Sequence, residues 1–208
     1  MNRLMLVAPV IAAMLAANVF ADDQAGWISM FNGKDLAGWK TNEKPGSFKV
    51  EDGAIVVNGP RSHAFYVGDE GKAEFKDFHL KADVMTMPNS NSGIYFHTRF
   101  LDEGWPDRGY EAQVNNTYKK APKKTAGLYN VKDNFKAPVG DNEWFLYEII
   151  VEGKRIVVKI NGETVTDYTE PDALVRPERQ LSQGRIALQA HDPGSKVLFK
   201  NLKIKSLD

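Results

Sequence analysis

The 208-residue chain has no cysteine. Disulfides, thiolate metal sites and a cysteine nucleophile are therefore excluded together. Neither sign of charge is in excess, since Lys plus Arg and Asp plus Glu both number 27. Nothing in that balance points to nucleic acid or to an anionic membrane as a partner. The one basic cluster, Lys119, Lys120, Lys123 and Lys124, is broken by Ala121 and Pro122 and reads as a solvated loop. Also missing are a Gly-Xaa-Ser-Xaa-Gly elbow, a His-Glu-Xaa-Xaa-His helix, a phosphate-binding glycine loop and a Gly-Xaa-Gly-Xaa-Xaa-Gly turn. Helical periodicity is absent beyond the first residues, and so is any internal repeat.

The longest apolar run lies at the start. Arg3 supplies a positive end, Leu4 to Ala17 is apolar, and Val19-Phe20-Ala21 ends on a small residue before Asp22-Asp23. This pattern predicts a secretory signal, residues 1–21, cleaved after Ala21. The run is short for a bilayer span and contains Pro9. With no cysteine at the cleavage point, no bacterial-type lipid anchor is expected, so the mature chain, 22–208, is expected to be a single periplasmic or secreted domain without a membrane anchor.

What the chain does have is strand signal. At 42% hydrophobic and 11% aromatic residues it can bury one sizeable core. Phe48-Lys49-Val50-Glu51, Asp52-Gly53 and Ala54-Ile55-Val56-Val57 read as a tight hairpin. Asp77 to Thr86 alternates, with Phe78, Leu80, Ala82 and Val84 inward and His79 outward. Trp144 to Tyr168 reads as a three-strand meander turning at Gly153-Lys154 and Asn161-Gly162. The last segment changes phase between Phe199 and Leu202, which predicts a bulge near Asn201. Ten or more short strands with no helices between them predict an all-β, antiparallel sandwich.

Three of these strands carry unusual outward residues. In Gly93 to Arg99 the alternation puts Tyr95, His97 and Arg99 on one face; in Tyr110 to Val114 it puts Glu111 and Gln113 there; in Gly184 to His191 it puts Ala187, Gln189 and His191 there. A sheet that had only to be soluble would show Lys, Thr and Ser. Their co-occurrence predicts a site on one sheet face. His97, Glu111 and His191 could alternatively be a two-His, one-carboxylate metal set, although general acid and base work is preferred over a divalent ion.

These segments resemble a known family. Phe31-Asn32-Gly33-Lys34-Asp35-Leu36-Ala37-Gly38-Trp39, Asn91-Ser92-Gly93-Ile94-Tyr95, Gly109 to Val114, Thr125-Ala126-Gly127-Leu128-Tyr129, Ile160-Asn161-Gly162, Gly184 to His191 and Phe199-Lys200-Asn201-Leu202 are similar, in order, to the 3-keto-disaccharide hydrolase domain. The resemblance implies a concanavalin A-like jelly roll that cleaves glycosides oxidised to a ketone at carbon 3. Its motif positions are Asn91, Gly93, Tyr95, Glu111, Gln113, Gln189 and His191; His97 and Arg99 are not among them.

A ketone at carbon 3 acidifies the hydrogen at carbon 2, so a base can remove it and the enolate can expel the substituent at carbon 1 as an acid protonates it. His191 or His97 is expected as the base and Glu111 as the acid or alternative base. Asn91, Tyr95, Arg99, Gln113, Tyr129 and Gln189 are expected to hold the sugar. The resemblance implies an oxidised glycoside or disaccharide as substrate, a separate sugar C3-oxidoreductase that supplies it, and no redox cofactor in this chain. A non-catalytic carbohydrate-binding module is the alternative for the same fold. An ordinary two-carboxylate glycosidase would need a loop acid, Asp141 or Glu143, beside Glu111.

Overall fold

Within residues 25–173 and 179–208, which the computed structural model of the protein describes, thirteen strands form two antiparallel sheets that meet across one core. The signal-like segment 1–21 lies outside the described residues. In chain order the strands are β1 (Trp27–Ser29), β2 (Trp39–Thr41), β3 (Phe48–Glu51), β4 (Ala54–Asn58), β5 (Ser62–Tyr66), β6 (Phe78–Thr86) and β7 (Ser92–Thr98). β8 (Tyr110–Val114), β9 (Phe145–Glu152), β10 (Arg155–Ile160), β11 (Glu163–Thr169), β12 (Arg185–Ala190) and β13 (Lys196–Ser206) follow. A single 3-10 turn, Pro45–Ser47, is the only helical element among the described residues.

One sheet has the order β11-β10-β9-β6-β13-β4-β3, with β1 also paired to β13; the other has the order β2-β5-β12-β7-β8. Neighbours in sequence are often not neighbours in space, as expected of a jelly roll. The predicted hairpin is β3 and β4, turning at Asp52 and Gly53, both at positive φ. The meander is β9, β10 and β11, and its second turn has Asn161 and Gly162 at positive φ, the conformation that Asn-Gly tolerates best. The bulge expected near Asn201 is present: the β13 to β6 register slips between Lys200 and Lys203, and Asn201 has a φ of 51°.

Alternation decides what each sheet presents. On β6, Phe78, Leu80, Ala82 and Val84 go to the core, as do Phe145, Tyr147, Ile149 and Val151 on β9. Facing them are Ile94 and Phe96 of β7, Tyr110, Ala112 and Val114 of β8, and Ile186, Leu188 and Ala190 of β12. Each fully buried Phe, Leu or Ile there contributes about 1.5–3 kcal/mol. Trp39 belongs to this core: it is buried and its Nε1–H donates to the Met30 carbonyl at 2.6 Å. The outer face of the five-stranded sheet is buried too, with Phe65, Tyr95 and Ala187 forming a second, small cluster against Phe100. Loops cover that face, and the residues between them line a cavity.

Candidate functional site

The cavity has a volume of about 450 Å³ and its floor is β8, β7 and β12. Register places the functional side chains. Tyr95 pairs with Glu111 across β7 and β8 and with Ala187 across β7 and β12, while Gly93 pairs with Gln113. Glu111, Gln113, Tyr95 and Gln189 therefore project from adjacent strands into one hollow. Gly93 is needed for this: a Cβ there would lie 2.6 Å from Glu111 Oε1 and 2.9 Å from its Cγ. The space that glycine leaves is filled by the carboxyl group.

β8 is the last strand of its sheet, yet its edge is not bare. Residues 125–129 run along it, with Gln113 N–H donating to Gly127 O, Ala126 N–H to Gln113 O and Tyr129 N–H to Glu111 O, each at 2.9 Å. This pairing sets Tyr129 beside Glu111 at the cavity wall. Lys123 Nζ sits 4.1 Å from the Tyr129 ring centroid and pairs with Asp133 at 3.2 Å. The loop before it is pinned by Asn115, whose Nδ2 donates to Lys123 O at 2.7 Å and whose Oδ1 accepts Tyr118 N–H at 2.8 Å. Lys124 Nζ donates to the carbonyls of Tyr118 and Ala121. Half of the basic cluster is thus scaffolding rather than solvated surface.

Glu111 is buried, and burial raises its carboxyl pKa to about 7 against the pull of the Tyr95 hydroxyl, the Arg179 guanidinium and Gln189. Gln189 Nε2 donates to Tyr95 Oη at 2.8 Å and to Glu111 Oε1 at 3.2 Å. Burial, and then the Glu111 charge, hold the Tyr95 phenol well above its usual range, so it is a hydrogen-bond donor and not a phenolate. Gln113 Nε2 donates to Asn91 Oδ1 at 2.6 Å. That leaves the Gln113 and Gln189 Oε1 atoms buried with no donor. A buried acceptor without a donor costs about 1–3 kcal/mol, and two of them in one cavity fit a ligand that brings hydroxyls.

At the mouth, His191 Nδ1 lies 2.7 Å from Asp192 Oδ2. Burial alone would raise the Asp192 pKa, but hydrogen bonds from His191, Ser195 Oγ and Gly194 N–H bring it below the usual carboxylate value. A carboxylate so held fixes the imidazole ring in orientation. The ring stands 5.5 Å from Tyr118 and 5.7 Å from Trp105, centroid to centroid. Trp105 is 44% exposed, a large aromatic surface left open beside the cavity.

Seven of the nine sequence-predicted residues converge here: Asn91, Tyr95, Glu111, Gln113, Tyr129, Gln189 and His191. Two do not. Between Tyr95 and Thr98 strand β7 has one residue more than β12 opposite, and His97 takes a φ of 55°. This bulge turns His97 out of phase with Tyr95, and it packs between Phe78 and Phe96. Its Nε2 meets Lys76 O at 2.8 Å and its Nδ1 accepts Ser182 N–H at 3.1 Å. Burial lowers its pKa, so it is a neutral structural imidazole. The kink needs close backbone on both sides: a Cβ on Gly109 would sit 2.1 Å from Phe96 O, and one on Gly184 2.5 Å from Thr98 O. Arg99, one residue beyond the shifted Thr98, leaves the cavity and makes an exposed ion pair with Asp107. With His97 elsewhere, a metal set of His97, Glu111 and His191 does not converge, and among the described residues no group of three His, Asp or Glu is placed to hold an ion.

Sequence reasoning missed Trp105, Tyr118, Lys120 and Arg179, which also line the cavity, and His63 behind it. His63 on β5 pairs with Gln189, is fully buried between Tyr95 and Trp105, and has neither ring nitrogen bonded. Burial drops its pKa to about 4. A tryptophan inside a loop of Gly, Asp and Pro was the one available signal for Trp105. Asp141 and Glu143 are not at the cavity: Asp141 accepts from Thr86 Oγ1 at 2.6 Å and Glu143 from Gly140 N–H at 2.9 Å. Among the described residues lining the cavity, Glu111 is the only acid.

Fold and site together define a concanavalin A-like jelly roll that carries an acid, an imidazole and two amide oxygens without donors on the outer face of its smaller sheet. The same sandwich is seen in a β-glucanase of Bacillus licheniformis, at a TM-score of 0.59 and 11% identity over 89% of this chain and all of that one. The chain belongs to the 3-keto-alpha-glucoside-1,2-lyase-like domain family, whose model matches residues 26–205. It is 26% identical to a 3-keto-disaccharide hydrolase of Bacteroides thetaiotaomicron over 89% of this chain and 80% of that protein. A candidate glycosyl hydrolase of Parabacteroides distasonis superposes with a TM-score of 0.74 at 24% identity, covering 92% of this chain and 99% of the other. The relatives named for an activity are thus carbohydrate-active hydrolases.

Proposed function

We propose that this chain is a carbohydrate-active enzyme that cleaves the glycosidic bond of 3-keto-glycosides and 3-keto-disaccharides by elimination across C1 and C2, with hydration completing a net hydrolysis. The observation that carries this reading is the single buried carboxyl at the cavity floor, titrating at about 7, with a carboxylate-held imidazole at the mouth and no second acid among the described lining residues. Ordinary glycoside hydrolysis uses two carboxyl groups flanking the scissile bond. Elimination needs one base and one acid of matched pKa instead.

In this scheme His191, oriented by Asp192, takes the proton from C2. The C2–H electron pair forms the enolate, whose negative charge rests on the oxygen at C3. The Arg179 guanidinium, which lines the same cavity, stabilises that charge. The enolate then collapses to a C1–C2 double bond while the C1–O bond breaks, and the leaving oxygen takes the proton of Glu111. Addition of water across the double bond, OH to C1 and H to C2, yields the 3-keto sugar. Asn91 and the free amide oxygens of Gln113 and Gln189 accept sugar hydroxyls, and Tyr129 and Trp105 offer ring faces to the pyranose. Because the ketone must already be present, a separate C3-oxidoreductase is the expected partner, and the signal-like first residues support a reaction in the periplasm or outside the cell.

Incubating the purified chain with a 3-keto-glucoside and with its unoxidised parent, in the presence and absence of a chelator, tests the reading. Aglycone release from the oxidised sugar only, unaffected by chelator, is expected, together with exchange of the C2 hydrogen in deuterated water. Release from the parent compound would point to ordinary hydrolysis. Binding without release would leave the carbohydrate-binding alternative.

A further inference from the structure

The back of the molecule holds a second groove. It lies on the outer face of the eight-stranded sheet, with the whole sandwich between it and the cavity, and its volume is about 560 Å³. Trp27 of β1, Lys81 and Asp83 of β6, and Asn201 and Lys203 of β13 line it.

This groove contains a conflict that solubility alone does not explain. Lys203 and Lys81 are directly opposite each other across β13 and β6, and like charges in that relation destabilise a sheet. Both ammonium groups lie against the same indole, Lys81 Nζ at 5.0 Å and Lys203 Nζ at 5.1 Å from the Trp27 ring. Lys81 has an acid on its other side, since Glu148 lies opposite it across β6 and β9 with Oε1 3.7 Å from Nζ, an oxygen shared with His79 at 3.0 Å, whereas among the described residues Lys203 makes no ion pair. At the other end of the groove Asn201 Nδ2 donates to Asp83 Oδ2 at 2.6 Å, and the Asn201 backbone is held there by the bulge. Local rules are usually broken where a protein binds something.

We infer that this groove is a second saccharide site, separate from the cavity, and that it takes an acidic sugar of the uronate kind. The half-buried Trp27 indole, flanked by both ammonium groups, offers apolar surface for a pyranose ring next to the charges that would meet its carboxylate. The facing ammonium groups would share the sugar carboxylate, which removes their mutual repulsion. The Asn201 and Asp83 pair supplies a donor and acceptors for ring hydroxyls. A neutral sugar would satisfy the indole and leave the lysines in conflict, so the site discriminates by charge. The bond-cleaving reading of the cavity is not needed for this inference.

Calorimetric titration of the full chain with a trigalacturonate, with maltotriose as the neutral probe, tests it. Trigalacturonate is expected to bind and maltotriose to bind at least about tenfold more weakly, the size of one lost charge-assisted contact. Trp27→Ala and Lys203→Glu should each weaken trigalacturonate by about tenfold or more, whereas Glu111→Gln leaves it unchanged. Lys203→Glu places a carboxylate opposite Lys81, so its melting temperature should hold or rise while binding is lost, which separates a lost site from a lost fold. Five results would each overturn the inference: no binding of trigalacturonate, equal binding of maltotriose, affinity retained in Lys203→Glu, affinity lost in Glu111→Gln, or displacement by sulfate at matched ionic strength.

Discussion

Replacing Glu111 by Gln removes one titratable proton from the floor of the cavity while keeping the shape of the side chain, so it tests burial and chemistry at once. In the folded protein this carboxyl titrates at about 7, against an ordinary value of 4.5. A carboxyl whose proton is held more tightly in the folded state adds stability at low pH and loses that contribution as pH rises through its folded pKa. Between pH 5 and pH 8 the loss amounts to roughly 2–3 kcal/mol, at about 1.4 kcal/mol per pH unit over the interval between the two pKa values. Glu111→Gln has no such proton. The stability of the native protein relative to the variant should therefore fall by that amount from pH 5 to pH 8, as read from urea unfolding at a series of pH values. Other groups, including His63, titrate in both proteins and cancel in the difference.

Turnover of a 3-keto-glucoside should drop by about 10²–10⁴-fold in the same variant, the range for loss of a general acid. The limb of the native pH profile that declines near 7, where Glu111 gives up its proton, should disappear. A stability difference that does not change with pH would refute the description of Glu111 as a buried neutral acid. The expected stability change with undiminished turnover would refute its part in the reaction and keep the burial argument.

Gly93→Ala puts a methyl group 2.6 Å from Glu111 Oε1, so the carboxyl must move; a displacement near 1 Å should reduce kcat/KM by about 10²-fold, with little change in melting temperature. Asp192→Asn keeps a hydrogen-bonding group beside His191 but removes its charge, and it should lower kcat by about tenfold or more while KM stays nearly constant in steady-state kinetics. Trp105→Ala should do the reverse and raise KM about three- to tenfold, the equivalent of one lost stacking contact. His63→Phe should flatten the acid side of the stability curve. In the native protein the folded-state pKa of His63 is about 4 against 6.5, so its contribution is lost as pH falls, about 2 kcal/mol of it by pH 5. The variant should keep its melting temperature there.

Much of the architecture was legible along the chain because strands announce themselves locally. Asp52-Gly53 and Asn161-Gly162 are turns by virtue of their own φ preferences, and the meander, the hairpin and the bulge at Asn201 all lie where alternation and its break put them. Glu111, Gln113, Gln189, His191, Tyr95 and Asn91 were legible for the same reason. Their apolar neighbours Tyr110, Ala112, Val114, Ile186, Leu188 and Ala190 must enter the core, and the two-residue period then sends these polar side chains to the other face.

His97 and Arg99 show where that logic stops. Phase carries a prediction only as far as the ladder stays regular, and one extra residue between Tyr95 and Thr98 reverses everything after it. Nothing in Gly93-Ile94-Tyr95-Phe96-His97-Thr98-Arg99 marks the bulge; the marks are Gly109 and Gly184, distant in sequence, which must lack a Cβ to lie against it. Trp105, Tyr118 and Arg179 enter the cavity from loops, whose course depends on contacts such as the Asn115 hydrogen bonds and has no period to read.

The amino-acid sequence by itself determined the strands, the turns between them and which side chains each strand gives to the core, because those follow from backbone geometry and burial over a few residues. Only the tertiary structure decided that Glu111 lies beside Gln189 and shares a cavity with Arg179, that its carboxyl is desolvated enough to titrate near 7, and that Lys81 faces Lys203 on the opposite sheet. Those are relations between residues far apart along the chain, and desolvation and charge pairing act through space.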